Sequence, residues 1–252
     1  MSSPPRTSRF LRWGFKRYLL GGFPFRRGML AKNFEAVRLL EPPPDLPNGR
    51  RVFFLNHPGW WDPLAAAALA ERLAPQRVPY APIDAEALDG MPLIGRLGVF
   101  GVERDTAAGA KAFLSTARAV LDDPGGDLWL TPEGTFASPD ARPIRFAPGL
   151  GHLLKSDPGL SAVPVAVRYD FWNERRPELL LAVGGPVRRA DIRANAGKVA
   201  AAGDAPVTAA ECSRFLERRL EAILEALTEA STARDPARFR FLTRGSTDRA
   251  AD

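Results

Sequence analysis

The fold is decided near residue 50, where a strand leads directly into a helix. Residues 51–73 read RVFFLNHPGWWDPLAAAALAERL. The apolar run 51–55 predicts a strand, and the Ala/Leu-rich run 63–73 predicts a helix. Residues 56–62 then form a tight connection between the two elements. A strand that passes at once into a helix is the repeating unit of an α/β fold.

Strand and helix signals continue to alternate along the chain. The clearest helix follows Thr106, where apolar residues recur at helical spacing, and another long helix is predicted after the capping box of Thr208 and Glu211. We therefore predict an α/β fold, a single-domain mixed sheet flanked by helices. Further strands are predicted at 78–82, 99–102, 128–130, 163–168 and 179–183.

The positive charge of the chain is concentrated near the N-terminus. Residues 1–34 hold eight Lys/Arg and no acidic residue, whereas the formal net charge of the whole chain is +6. Aromatic residues are interleaved with these bases, so a basic amphipathic helix is predicted, which suits an anionic lipid surface better than a nucleic acid. A solvated tail is the alternative interpretation.

Composition also suggests how the chain is divided and where it works. We predict a membrane-contact arm and Pro-rich connector at 1–47, the main domain at 48–233 and a polar tail at 234–252. Removing residues 1–34 is expected to leave a folded core. No stretch without a charged residue exceeds ten residues, so no spanning helix is predicted. The expected location is peripheral, at the cytoplasmic face of a membrane.

Cysteine and histidine are too few for several kinds of site. The chain has one cysteine, Cys212, and two histidines, so neither a disulfide framework nor a Cys/His zinc site is predicted. A reducing compartment is the default for such a chain. Cys212 lies in a predicted helix start and is interpreted as a packing residue.

The connection at 56–62 carries the first chemical signal, His57 followed five residues later by Asp62. An imidazole held by a carboxylate in one tautomer is the usual arrangement of a general base. Two plainer interpretations remain: Asp62 precedes Pro63 and would serve as a helix N-cap, and His57 would be a polar loop residue. His152 is the competing base, although its apolar helical surroundings favour a structural role.

Two further loops carry polar residues after predicted strands. Residues 131–138 read TPEGTFAS, which places a carboxylate, a glycine and hydroxyls on one loop. Residues 101–105 read GVERD, whose Arg104 suits a phosphate but would equally form a surface ion pair. Neither loop identifies a reaction by itself.

Taken in order, these motifs resemble those of the lysophosphatidate acyltransferase family, the PlsC-type glycerolipid acyltransferases. His57 and Asp62 look like the family's His, four residues, Asp pattern, and residues 101–105 resemble its arginine block. Residues 132–135 resemble its Pro-Glu-Gly-Thr block, and 163–165 its later proline-containing strand. The likeness covers roughly residues 50–190.

The resemblance implies an O-acyltransferase that works on lipids. His57 would deprotonate the acceptor hydroxyl and Asp62 would orient the imidazole. The hydroxyl would attack the thioester of acyl-CoA or an acyl carrier protein directly, without a cofactor, a metal or an acyl-enzyme. Membrane lipids are the implied partners, and nucleic acid is not. The residues implied to form the acceptor site are Arg104, Glu133, Gly134 and Thr135.

One position departs from the family pattern and leaves the acceptor open. The family usually has an arginine directly after Glu-Gly-Thr, whereas this chain has Phe136. Either Arg145 or another cation substitutes for that arginine, or the acceptor carries no phosphate, as in amino-acid lipids, glycolipids or carotenoid glycosides. A membrane-surface binding protein without turnover is the non-enzyme alternative. A serine esterase is disfavoured because no Gly-x-Ser-x-Gly occurs.

Overall fold

The computed structural model describes residues 3–25, 27–199 and 207–244, with the side chains of 196–199 left aside. Within these ranges the strands form one sheet in the order β4-β3-β5-β2-β6-β7-β1-β8. The strands are β1 (Ala36–Leu40), β2 (Arg51–Leu55), β3 (Val78–Asp84), β4 (Val99–Val102), β5 (Gly126–Leu130), β6 (Ser161–Asp170), β7 (Glu178–Val183) and β8 (Phe239–Arg244). The helices are α1 (Arg9–Leu20), α2 (Met29–Asn33), α3 (Asp62–Leu73), α4 (Ala85–Asp89), α5 (Pro92–Gly95), α6 (Ala107–Asp122), α7 (Gly149–Ser156), α8 (Arg189–Val199) and α9 (Ala209–Ala233).

The sheet is mixed, as predicted. Strands β4, β3, β5, β2 and β6 run parallel, β7 is antiparallel to β6, β1 is parallel to β7, and β8 is antiparallel to β1. The carboxyl ends of the five parallel strands therefore meet at one edge of the sheet. Ligand sites of open α/β sheets lie at this edge.

Both faces of the sheet are covered, which explains why β2 is buried along its whole length. Phe53 points to one face and packs with α3, whereas Phe54 points to the other and packs with α6, α7 and α9. Neighbouring residues of a strand alternate between faces, so these two phenylalanines contribute to two different hydrophobic cores.

Most predicted elements are present. The helix after Thr106 is α6, whose N-cap is Thr106, and the capping box of Thr208 and Glu211 opens α9. The predicted strands correspond to β2 through β7, with ends that differ by a few residues. Their signals are local, which is why sequence alone locates them.

The strands of the sheet come from all three of the predicted segments, 1–47, 48–233 and 234–252. Strand β1 lies before residue 48 and β8 lies after residue 233, and the two pair with each other. The segment predicted to be a polar tail supplies an edge strand of the sheet. Strand β1 carries one charged residue, Arg38. Its guanidinium is buried against Glu178, with Nε 2.9 Å from Oε2, and lies over the ring of Phe241.

The N-terminal arm forms the predicted helix, α1, but it is packed into the domain. Leu19, Leu30 and Phe34 are 1%, 0% and 2% exposed and join the core beneath α3. The arm is therefore packed as part of the folded unit, and this packing argues against a clean removal of residues 1–34. Over the part of the chain that is described, no helix has the length and apolarity to cross a membrane.

The basic side of α1 faces the domain more than was expected. Lys16 Nζ lies 2.5 Å from Glu71 Oε2, and Arg12 donates to a backbone carbonyl 3.1 Å away. Phe10 and Trp13 point to solvent instead, at 76% and 47% exposed, and their rings stack. The outward surface of α1 is thus more aromatic than the charge pattern alone indicated.

Candidate active site

The parallel strands bring three of the predicted motifs to one edge of the sheet. His57 follows β2, Glu133 follows β5, and Arg104 follows β4. Strands β2 and β5 are neighbours, so the first two loops are adjacent. Strand β4 lies three places from β2, which puts Arg104 about 14 Å along the edge at the usual strand spacing.

His57 and Asp62 form the contact that their spacing predicts. Nδ1 of His57 lies 2.6 Å from Oδ2 of Asp62. Asp62 is fully buried, whereas the His57 side chain is 16% exposed. A buried carboxylate accepts from Nδ1–H and thereby fixes the tautomer, so Nε2 is the nitrogen left to take a proton. The pair has the geometry of a general base with its orienting acid.

Asp62 does not cap the helix that it begins. The N-cap of α3 is Trp61, which makes no side-chain capping bond. The carboxylate instead turns back: Gly59 N–H donates to Oδ2 at 2.9 Å, and the Tyr169 hydroxyl donates to Oδ1. The capping interpretation of Asp62 was therefore wrong, and its contacts are those of a residue that holds His57.

The loop after β5 holds the backbone of His57 from both sides. Glu133 Oε1 accepts the His57 N–H at 2.9 Å, and Ala137 N–H donates to the His57 carbonyl at 3.0 Å. Gly134 has φ +75°, a left-handed conformation that glycine adopts without strain. Burial is the main cause that raises the pKa of Glu133. Glu133 thus holds the backbone of His57, Gly134 permits the left-handed turn that follows it, and Thr135 is exposed.

Asn56 is a site residue that the sequence analysis missed. It is buried, its amide donates to the Val167 carbonyl at 2.9 Å, and its oxygen accepts the Val167 N–H at 2.8 Å. The side chain thereby acts as an extra strand partner and ties the start of the His57 loop to β6. Its position after a strand was a weak signal, because the partner is 111 residues away.

Tyr169 was missed as well. Its ring stacks on Phe34, with centroids 5.9 Å apart, and Phe34 meets the edge of Trp61 at 5.0 Å. Burial, followed by the charge of Asp62, raises the pKa of Tyr169. The hydroxyl therefore keeps its proton and stays a donor toward Asp62. No pattern near residue 169 indicates this contact.

Phe136 lies beside the predicted base. Its ring centroid is 4.5 Å from that of His57 at an interplanar angle of 60°, and its side chain is 63% exposed. An apolar ring thus borders the position where an acceptor would approach the imidazole. The departure from the family pattern is a feature of the site and not of a distant surface.

Arg104 is a surface cation at the edge of this site. Its side chain is 55% exposed, and its Nε lies 3.5 Å from Oδ2 of Asp84, at the end of β3. An exposed pair of this kind is held weakly. The guanidinium is accordingly free enough to meet a ligand.

Arg145, the predicted phosphate substitute, is directed toward α9. Its Nη1 lies 3.6 Å from Oε2 of Glu217, which belongs to that helix. Burial dominates the raised pKa of Glu133, and the charge of Arg142 opposes that shift only slightly. Arg142 is exposed on the same loop, and its Nη1 donates to the carbonyls of Pro139 and Ala141.

The remaining histidine and the cysteine lie in other elements. His152 is exposed on α7, which packs with α9 on the face opposite α3. Cys212 is fully buried in α9, and burial is the main cause that raises the pKa of its thiol. Neither residue is placed with Asp62. Among the described residues, no cluster of three His, Cys, Asp or Glu side chains is arranged to hold a metal ion.

Comparison with known proteins identifies the family of the chain. A search of curated proteins finds no match. The sequence model of the Acyltransferase family matches residues 31–168, which is more than half of the chain. The matched segment runs from α2 into β6 and includes both the His57 loop and the loop of Glu133. The chain therefore belongs to the Acyltransferase family, which contains the PlsC-type lysophosphatidate acyltransferases, and is an acyltransferase.

Proposed function

We propose that the chain moves a fatty acyl group from acyl-CoA or an acyl carrier protein to a hydroxyl of a lysolipid such as 1-acylglycerol 3-phosphate. His57 is the general base, and Asp62 orients and stabilises it. The observation that carries this proposal is the 2.6 Å contact between His57 Nδ1 and the buried Asp62 carboxylate.

The proposed reaction is a direct transfer. His57 Nε2 takes the proton of the acceptor hydroxyl while the oxygen attacks the thioester carbonyl, and the negative Asp62 stabilises the imidazolium. Collapse of the tetrahedral intermediate forms the ester and breaks the carbon–sulfur bond, and the leaving thiolate takes the proton back from the imidazolium. Burial of Cys212 supports a route without a thiol nucleophile.

The test of the base uses the two histidines of the chain. His57→Ala is incubated with labelled acyl-CoA and a total lipid extract, and the labelled product is identified. We expect loss of about 10²–10⁴-fold in turnover, the usual contribution of a positioned base. The matched control is His152→Ala, which we expect to retain activity. Turnover of His57→Ala close to wild type would refute the mechanism, and a wild-type chain without turnover would favour the binding-protein alternative.

The acceptor has two candidates because cations on the loops at this edge of the sheet and an apolar ring beside His57 favour different head groups. The exposed side chains of Arg104 and Arg142 support a phosphate-bearing acceptor. Phe136, in contact with His57, supports an acceptor without a phosphate, such as an amino-acid lipid, a glycolipid or a carotenoid glycoside. An aromatic side chain provides apolar area and stacking where an arginine would provide a charge-assisted bond to phosphate.

Phe136→Arg distinguishes the two acceptor classes. A charge-assisted hydrogen bond is worth about 1.5–3 kcal/mol, so a gained phosphate contact raises kcat/KM on 1-acylglycerol 3-phosphate by about 10- to 100-fold. The control is Phe171→Arg, a phenylalanine of similar exposure. If wild type already prefers the phosphate acceptor and Phe136→Arg lowers kcat/KM, the ring serves a lysophosphatidate site and the acceptors without a phosphate are rejected.

We further propose that α1 attaches the enzyme to the cytoplasmic face of a membrane. The support is the outward aromatic surface of α1, made by Phe10, Trp13 and Tyr18, together with the basic composition of residues 1–34. Aromatic side chains with nearby bases suit the boundary between head groups and acyl chains. A lipid acceptor and an acyl thioester also meet most readily at that boundary.

Vesicle binding tests this attachment. We expect Phe10→Ser combined with Trp13→Ser to lower affinity for anionic vesicles by at least about tenfold, because two interfacial side chains are lost. Thermal stability should change little, since both side chains are exposed. Phe171→Ser is the matched control. Unchanged vesicle binding by the double variant would place membrane contact elsewhere.

A further inference from the structure

We infer that Tyr169 is a positioning residue of the acyl-transfer site, whose hydroxyl holds the Asp62 carboxylate in the orientation that serves His57. This inference rests on the proposed role of His57 as the base. Tyr169 lies 107 residues beyond Asp62 in the sequence and is joined to it by a side-chain hydrogen bond.

The donors around Asp62 divide between its two oxygens. His57 Nδ1 and the Gly59 N–H both meet Oδ2, at 2.6 and 2.9 Å, whereas the Tyr169 hydroxyl meets Oδ1. Asp62 is fully buried, so water does not replace a lost donor at no cost. Removing the Tyr169 hydroxyl therefore withdraws the hydrogen bond that the structure gives to Oδ1.

Tyr169 is itself fixed in place. It belongs to β6, the neighbour of β2, so it stands on the same sheet that delivers His57. Its ring is stacked on Phe34, and Phe34 in turn contacts Trp61, the N-cap of α3. Asp62 is thus clamped between the loop that precedes α3 and a rigid strand. Rigid placement of an orienting acid limits rotation of the imidazole that it holds.

The Tyr169 hydroxyl also stabilises the negative charge of Asp62 and thereby affects protonation of His57. A hydrogen bond to an ionised carboxylate stabilises it, which weakens the pull of that carboxylate on the proton of the His57 ring. Without the hydroxyl, the pair holds its proton more tightly and titrates at higher pH. A purely structural link between α3 and β6 would not produce this change.

Other charges near the pair stay constant when the hydroxyl is removed. Among the described residues, Glu133 in the loop after β5 meets the His57 N–H, and Arg142 acts on Glu133. On the side of α2 and α3, the apolar rings of Phe34 and Trp61 fill the space. Tyr169→Phe keeps all of these groups and the stacked ring, so it isolates the hydroxyl.

The experiment measures the titration of His57 and the reaction together. The chain has two histidines, so His57→Ala assigns the ring-proton signals by NMR. In Tyr169→Phe we expect the acidic limb of the kcat profile to move to higher pH, together with the pH at which the His57 ring signals change. We expect kcat to fall by about 10- to 100-fold, the rate equivalent of one hydrogen bond to a charged group, with KM nearly unchanged. The matched control is Tyr80→Phe, a buried tyrosine packed in the other core.

Each outcome decides the inference. An unshifted His57 titration in Tyr169→Phe overturns it, even if activity falls, because lost activity with lowered thermal stability alone describes a structural contact. If His57→Ala retains wild-type turnover, the proposed base and this inference fail together. If His57→Ala is inactive and Tyr169→Phe behaves as wild type, only this inference fails.

Discussion

Replacing Asp62 by asparagine separates the charge of this residue from its shape. Asparagine is nearly isosteric with aspartate, so its oxygen still accepts from Gly59 N–H while its amide faces the Tyr169 hydroxyl. That hydroxyl can rotate to accept instead of donate. The hydrogen bonds around residue 62 are therefore largely kept, and the negative charge beside His57 is lost.

The two expected effects differ widely in size. Loss of the charge removes stabilisation of the imidazolium, and we expect turnover to fall by about 10²–10⁴-fold, or about 2.7–5.4 kcal/mol of activation free energy. The free energy of unfolding should fall by only about 1 kcal/mol, because one charged hydrogen bond becomes neutral. The loss of rate thus far exceeds the loss of stability.

The assay follows release of the carrier thiol with a thiol reagent, and thermal unfolding is recorded on the same preparation. Asp45→Asn, at an exposed position, is the control for the chemical change itself. Turnover of Asp62→Asn within about fivefold of wild type, a difference of only about 1 kcal/mol, would refute the assigned role. So would a fall in stability large enough to unfold the protein at the assay temperature.

Three other perturbations test the surroundings of the site. Burial raises the pKa of Glu133, so the folded state loses stability as pH rises from the ordinary glutamate pKa to the raised pKa. Glu133→Gln still accepts the His57 N–H but does not ionise, so we expect it to gain stability relative to wild type over this pH range. A stability difference that does not change with pH, measured by unfolding, would contradict this. Asn56→Ala leaves unpaired the Val167 N–H and carbonyl that bond to Asn56. We expect the free energy of unfolding, measured in urea, to fall by about 2–3 kcal/mol. A fall near zero would show that these two hydrogen bonds are dispensable. Leu19→Ala should cost about 2–4 kcal/mol if α1 is part of the folded unit, and an unchanged unfolding midpoint would restore the separable arm.

Much of the fold is predictable from sequence because its signals are local. The alternation of apolar runs and helical spacing locates β2 to β7 as well as α3, α6 and α9. Strands β1 and β8 escape this reasoning because their stability is not local. Arg38 is buried only because Glu178, 140 residues away, neutralises it and Phe241 covers it. A charged residue inside an otherwise short apolar run is ordinarily evidence against a core strand.

The contacts of the site likewise divide into local ones, which sequence predicts, and long-range ones, which it does not. His57 and Asp62 are predictable as a pair because a tight connection keeps them together whatever surrounds them. The adjacency of Glu133 to His57 follows from the order of parallel strands, which sequence alone does not supply. Tyr169 and Asn56 require β6 to lie beside β2, so their contacts exist only in the assembled sheet. The partner of Arg145 is equally non-local, since Glu217 belongs to a helix that follows much later.

The position of β1 between β7 and β8 has a consequence for synthesis. Strand β1 emerges early from the ribosome, whereas β8, which pairs along its outer side, emerges after every residue of the catalytic pair and its supports. Until residues 239–244 are added, that side of β1 presents unpaired N–H and C=O groups, the kind of edge that pairs with other chains. A nascent chain, or one clipped by a protease before β8, is therefore exposed to aggregation even with its active site already assembled.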